Sequence, residues 1–558
     1  METVEPPERT RAENGAVAKK LAAPAVRRHR VYAGLVVVTV LAVLVLVPVL
    51  PPPNRPAPSS VVVEPPTVTP PTPAYGVGLT VGGLHCGPGR RQVAWSAYAP
   101  PCQPAWHGNN GGDTSTGVTS DTVRVAFRVA PLSQLKSLYP LIPASAIGTP
   151  AQQVATVEDY LAVFNRDFEL YGRRVVLVPY AGTGDLVDVG PTGDQRDASF
   201  VGATLNVFAD LSLLDSSPPY ADDLATQHVV SVGLEATPAA AYAAAAPYEY
   251  SPGPDCSKAA RATAAVLGRQ LAGLDATDAG DPGLEGTVRR YAMLNIDTTL
   301  GTACARAVAT GLAAHGVAIR PVDALPEDLG HEAAAAQAAL AQMQADRVTT
   351  VICSSCDPAT TRLAMQAADR LGYHPEWWLV SDLAGGQTDT GALTRVLPAD
   401  QVDHAISTGN PTVPSAADEA LRAYRLGRPA SGSAPVPTYA LTYQALLQLF
   451  DGLQLAGPDL TPSSLAAAMR HLPASAADGL FGAWSGRAGP YDPAAAFTVV
   501  RWDPAVRSPL DGRPGAWVAC DGARQFAYRP GGSGVPVHTP LVCSARPAPT
   551  RAGRGGQR

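Results

Sequence analysis

The chain has 558 residues, of which 46% are apolar and 16% charged, and a formal net charge of -6. That length accommodates about two to four domains with cores of their own. The acidic balance, with no basic stripe in the central region, argues against a nucleic-acid partner.

Residues 1–30 are polar and end in RRHR, Arg27 to Arg30. Val31–Leu50 then runs without a charge. At the rise of an α-helix this run reaches about 30 Å, the thickness of a bilayer's hydrocarbon core. Lys and Arg mark the cytoplasmic side. Seven of them precede the run, and only Arg55 follows it within thirty residues. Residues 1–30 therefore read as a cytoplasmic basic tail and 31–50 as a single transmembrane signal anchor, with everything beyond it outside the membrane. Cleavage within Ala57–Ser60 is the alternative, and it keeps the remainder unchanged.

Pro48 to Pro73 holds eleven prolines in 26 residues. Residues 51–74 therefore read as a semi-rigid polyproline linker. Residues 75–116 are rich in Gly and read as a small segment ahead of the main domain, stapled by Cys86 and Cys102. Strand and helix patterns then alternate. Strands are expected at Thr122–Val129, Arg173–Tyr180, Asn206–Leu211, His228–Leu234, Arg290–Asp297, Ala318–Leu325, Thr349–Ser355 and Glu376–Ser381. Helices are expected at Val154–Gly172, Asp194–Leu205, Ala221–Thr226, Ser257–Leu271, Ala303–Gly316, Glu332–Ala345 and Pro358–Leu371. This alternation predicts an α/β fold of βαβ units with parallel sheets. The last stretch, 527–558, contains Cys543 and ends in a basic tail whose composition predicts no fixed structure.

Four stretches carry a resemblance. They are GVTSDTVRVAF (Gly117–Phe127), RRYAMLNIDTTLGTACARAVATGLAAHGVAI (Arg289–Ile319), the Val348–Leu383 region around VTTVICSS and EWWLVSDL, and VPTYALTYQALLQLFDGLQLAG (Val436–Gly457). Their order and spacing resemble the type I periplasmic solute-binding proteins, the branched-chain amino-acid binding family of ABC transporters, over roughly Gly117 to Asp503. CQPAWHGNNGGDTSTGVTSDT (Cys102–Thr122) is similar to an actinobacterial, membrane-anchored branch of them. The resemblance implies two doubly wound parallel-sheet lobes joined by three crossovers. Lobe I would be 117–254 plus 404–471, and lobe II 255–403 plus 472–526. It further implies a small-molecule ligand, an amino acid or amide among the options, and an ABC permease as partner.

In open parallel sheets, ligands bind beyond the carboxyl ends of the strands. The loops there supply the candidate ligand-binding residues: Ser216, Ser217, Ala236 and Thr237 in lobe I, and Asp297, Ser354 and Asp382 in lobe II. Ordinary loop capping is the competing role for the hydroxyls and for Asp382. Leu300 stands before Gly301 where the family often has an aromatic residue.

All eight cysteines lie beyond the apolar run, where an oxidising space favours disulfides. The expected pairs are Cys86–Cys102, Cys256–Cys304, Cys353–Cys356 and Cys520–Cys543. A strand–C-x-x-C–helix arrangement also suits thiol redox chemistry, which stays open as a rival function. Zinc requires about four convergent ligands, and a single C-x-x-C without a nearby His pair does not supply them. No nucleophile elbow or H-E-x-x-H occurs, so no catalytic residue, metal or cofactor is assigned. Tyr439 and Tyr443, four apart on one helix face, read as core, as do Trp377 and Trp378. A sensing or scaffold ectodomain not coupled to transport is the other rival.

Overall fold

In a computed structural model, the described residues are 76–131, 138–183, 191–213, 217–233, 237–380, 391–409, 419–428, 434–475, 481–529 and 534–543. The basic tail, the apolar run 31–50, the Pro-rich linker and the stretch after 543 lie outside them. No helix among the described residues is long and apolar enough to cross a membrane.

A short hairpin, β1 (Gly78–Leu79) and β2 (His85–Cys86), precedes two larger sheets. The first contains β3 (Thr122–Val129), β4 (Arg174–Ala181), β5 (Ala209–Ser212), β6 (Val230–Gly233) and β7 (Glu249–Tyr250). Its order is β4-β3-β5-β6-β7 and every pairing is parallel. The second contains β8 (Tyr291–Ile296), β9 (Ile319–Leu325), β10 (Thr350–Cys353), β11 (Glu376–Leu379) and β12 (Ala405–Gly409). These run β9-β8-β10-β11-β12, again all parallel. Both sheets thus place their first strand second and then reverse direction. That reversal opens a crevice at β3/β5 in one lobe and β8/β10 in the other.

The central strands are buried on both faces, as parallel strands covered by helices must be: β5, β6, β10 and β11 are buried at every position. Helix starts follow local chemistry. Thr149 and Gln152 form a reciprocal capping box at helix 150–167, with Pro150 as its first residue. Asp357 caps helix 358–371, which ends at Gly372 in the left-handed conformation. Gly117 has a φ of +72°, and a Cβ there would lie 2.2 Å from the Phe208 backbone nitrogen, so no larger residue fits this approach to the strand beside it.

Four features differ from the sequence expectations. The second sheet is mixed, because β13 (Ala496–Arg507) adds to β12 antiparallel, followed by β14 (Pro514–Ala519) and β15 (Phe526–Ala527). Strand β12, placed by sequence in lobe I, pairs in the lobe II sheet, so the second crossover falls after Gly409. Phe481 and Trp484 pack in the lobe I core, so the third crossover falls beyond Trp484 instead of at Leu472.

The fourth difference concerns residues 76–116, which are built into lobe I instead of preceding it. Tyr98 is fully buried; its hydroxyl accepts from Phe481 N (2.8 Å) and donates to the Gly482 carbonyl (3.0 Å). Ser96 Oγ and Ala97 N both donate to Glu419. This cover explains why helix 439–456 is buried nearly all round despite Gln444, Gln448, Asp451 and Gln454. Gln454 Nε2, for example, donates to Gln92 and to the Pro101 carbonyl. Tyr439 and Tyr443 lie in the same core, and Trp377 and Trp378 are buried in lobe II with their indole N–H groups donating to Gln401 and Thr263.

The disulfides are Cys86–Cys102, Cys256–Cys304, Cys353–Cys356 and Cys520–Cys543. Cys353 and Cys356 are buried in the lobe II core. A thiol-redox role needs this pair within reach of a partner, and the packing places it away from solvent.

Candidate functional site

The strand order points to the carboxyl ends of β3 and β5 in lobe I and of β8 and β10 in lobe II. The lobes meet there. Residues 138–147 follow β3 and lie across lobe II: Ile142, Ala146 and Ile147 pack with Ala359, Ala392 and Leu393. Arg362 Nη1, from the helix after β10, donates to the Leu141 carbonyl at 2.8 Å. This strap joins the lobes by apolar contact and one charge-assisted hydrogen bond.

At the lobe I crevice the end of β3 carries Arg128, a cation buried in the strand's last, fully buried stretch. Its Nη2 lies 2.8 Å from Asp194 Oδ1 and 2.8 Å from Asp197 Oδ2, and its guanidinium sits 4.5 Å over the Tyr220 ring. Both carboxylates come from helix 191–200. Asp197 also accepts from the Thr183 amide and hydroxyl. Deeper, Asp210 on β5 accepts from Ser212 Oγ and Tyr220 Oη, each at 3.0 Å, and Tyr180 Oη lies 2.5 Å from Tyr220 Oη. Burial pushes the Asp210 carboxyl up to about 7, against the pull of these hydroxyls. Lobe I thus presents one cation already held by two carboxylates.

Ser217 belongs to this network. It caps helix 218–226, accepting from Tyr220 N, while its hydroxyl proton goes to Asp194 Oδ2 at 2.5 Å. Capping is therefore its structural role, and its one donor is already used. Thr237 is 2% exposed, and its Oγ1 has no partner among the described residues; its carbonyl accepts from Cys256 N, at the start of the first crossover helix. Ser216, Ala236 and Asp382 lie outside the described residues.

In lobe II, Ser354 leaves β10 between the two disulfide cysteines. It is 3% exposed, and its Oγ has no partner among the described residues. Asp297 follows β8; its side chain is exposed and its amide donates to the Leu325 carbonyl. Beyond β9 stands Glu327, raised above the usual carboxylate range by burial and by the nearby charges of Asp194 and Asp357. Glu332 behind it is pushed up to about 7 by burial.

The sequence reading missed Arg128, Asp194, Asp197 and Asp210. A signal was present: an arginine at the end of TVRVAFRV and an aspartate in the buried stretch FADLS each demand an interior partner. Which partner was not readable, because Arg128 and Asp194 stand 66 residues apart.

No protein-family model and no curated protein matches the chain. Solved structures do. A solute binding protein of an ABC transporter from Rhodopseudomonas palustris BisB5, in complex with 3,4-dihydroxy benzoic acid, matches with a TM-score of 0.50 and 13% identity, covering 73% of this chain and 98% of that one. Its counterpart from Rhodopseudomonas palustris HaA2, in complex with p-hydroxybenzoic acid, matches with a TM-score of 0.50 and 12% identity over 74% and 98%. An ABC transporter substrate binding protein from Aeropyrum pernix matches with a TM-score of 0.51 and 12% identity over 74% and 97%. At these identities the likeness is one of fold: the chain has the two-lobed fold of the type I periplasmic solute-binding proteins.

Proposed function

We propose that the chain is a membrane-tethered extracytoplasmic receptor that binds a small solute between its lobes and passes it to an ABC-type permease. The observation that carries this reading is the pair of crevices, β3/β5 and β8/β10, in two sheets that share one strand order, with residues 138–147 after β3 packed on lobe II. Closure about the crossovers would trap the solute without covalent chemistry. The uncharged run Val31–Leu50 and the Lys/Arg excess before it support a single anchor with the N-terminus in the cytoplasm. The similarity of Cys102–Thr122 to an actinobacterial anchored branch belongs to the same proposal. The hydroxybenzoates held by the two Rhodopseudomonas proteins join amino acids and amides as candidate solutes.

The test is a thermal-shift screen of the full chain against amino acids, amides, amines, sugars and aromatic acids. A ligand at a hundredfold excess over its Kd stabilises the folded state by about 2.7 kcal/mol. A rise in Tm with one chemical class supports the receptor reading. A well-folded chain that responds to nothing sinks it.

A further inference from the structure

The hairpin β1–β2 carries a surface that points to a second contact with the bilayer, an inference that rests on the membrane-tether part of the receptor reading. Along β1 the side chains alternate, but the pattern is inverted. A Cβ on Gly76 or Gly78 would meet the Pro104 ring, and Thr80 is buried. Val77 is 86% exposed, and Leu79 and Val81 are each 50% exposed. His85 pairs directly with Leu79 across the hairpin and is exposed on the same face. A strand on one core normally turns its apolar side chains inward, and this one turns three outward in a row.

The backbone of β1 is occupied on both sides. Thr80 N donates to the Leu84 carbonyl along one edge, while Gly76 N donates to the Cys102 carbonyl and Ala105 N to the Leu79 carbonyl along the other. Cys86–Cys102 staples the two flanking stretches across it. β1 therefore has no free edge for a strand of another protein to join. What it offers is an apolar face with its backbone groups satisfied, the condition for entering lipid. Three side chains also fall well short of the roughly 800 Å² a side that a stable protein interface buries.

Charge and position agree with a lipid surface. From 65 to 112 the sequence contains no Asp or Glu; its charges are Arg90 and Arg91, joined by His85 and His107 when protonated. Arg90 and His107 are exposed. Asp167, beside the turn at Gly82, is paired with Arg166 at 2.8 Å. Exposed apolar side chains in a segment with cations and no carboxylate suit an anionic membrane. Val77 follows Leu50, the end of the uncharged run, by 27 positions. A tether makes the contact intramolecular, so a patch too small to hold a free protein on lipid is enough.

We infer that the face formed by Val77, Leu79, Val81 and His85 rests on the anionic outer surface of the membrane and seats lobe I against the lipid.

The experiment is photolabelling of the full chain, reconstituted into vesicles of phosphatidylcholine and phosphatidylglycerol in which some acyl chains carry a diazirine. Adducts are located by peptide mass spectrometry. Val31–Leu50 reports the tether. The 534–543 stretch, where Val537 is 53% and Val542 66% exposed, reports incidental contact. The expected result is adducts on Val31–Leu50, and on 76–86 at roughly five times the level on 534–543 or more. Adducts on Val31–Leu50 with 76–86 no higher than 534–543 overturn the inference and leave the tether standing. A chain without adducts on Val31–Leu50 overturns the tether and, with it, the inference.

Val77→Ser, Leu79→Ser and Val81→Ser combined, all at exposed positions, are expected to bring 76–86 down to the level of 534–543 with Val31–Leu50 unchanged. Labelling of 76–86 that survives in the folded triple variant overturns the assignment to this face. Omitting phosphatidylglycerol is expected to lower the labelling of 76–86 about twofold or more. Unchanged labelling overturns the role given to charge.

Discussion

Lobe I and lobe II follow one strand path, yet they secure their crevices differently. Lobe I does it with polar groups drawn from afar: Arg128, Asp194, Asp197, Asp210 and Tyr220 satisfy one another at the ends of β3 and β5. Lobe II does it covalently and locally, with Cys353–Cys356 spanning the turn after β10 and Asp357 capping the helix that follows. The difference shows that strand order sets where a crevice forms, while side chains set what it can hold. It also gives the lobes different weak points. A buried polar network fails when any one member is lost, because the partner is left unsatisfied. A short disulfide constrains few residues and contributes little chain entropy.

The largest effect is expected in lobe I. Tyr98→Ala removes a fully buried ring and two hydrogen bonds that tie residues 76–116 to Phe481 and Gly482. A loss of about 4 kcal/mol in denaturant unfolding is expected, as for other large aromatic truncations in cores. A loss below about 1 kcal/mol would mean that this segment is an appendage and that the lobe I core ends at Gly117.

The disulfides come next. Cys256–Cys304 closes a separation of 48 residues and Cys353–Cys356 one of 3. Chain entropy alone assigns the first about 4 kcal/mol and the second about 2 kcal/mol. Paired Cys→Ser variants, compared by Tm, test that ratio. Equal losses would show that the short bridge holds the Ser354 turn through native contacts beyond its effect on the unfolded chain.

The smallest effect expected is on pH dependence, and it separates the lobes again. Asp210 in lobe I and Glu332 in lobe II both sit near 7 because of burial, above the roughly 4 of unfolded carboxyls. The folded state therefore binds these protons more tightly. The stability they contribute is complete below about pH 4 and is lost as pH rises toward 7. Acidification from pH 7.5 to 5.5 should stabilise the wild-type chain, by on the order of 2 kcal/mol for each group. Asp210→Asn and Glu332→Gln should each flatten part of that profile. A slope unchanged in Asp210→Asn would place the relevant proton in lobe II.

Much of the secondary structure was legible because its determinants are local. The strand Thr122–Val129 and the helix Pro358–Leu371 are found where the sequence patterns put them. Asp357 and Gly372 mark that helix's two ends by hydrogen bonding and backbone conformation alone. Cleft residues were less legible. The Ser217 loop was located from sequence, but its occupation by Asp194 was not, since that bond joins residues 23 apart through a helix packed on the sheet. The stretch Ala496–Arg507 was not assigned as a strand at all, although FTVVRW carries the residue types of one.

The sequence by itself determined the βαβ alternation, the helix caps and the apolar N-terminal run, because each follows from residues within a few positions of one another. Only the tertiary structure decided which lobe β12 joins, how residues 76–116 enter the lobe I core, and that Arg128 is spent on Asp194 and Asp197. Those outcomes depend on desolvation and packing between segments tens to hundreds of residues apart, where a charge's partner is set by which surfaces are buried together.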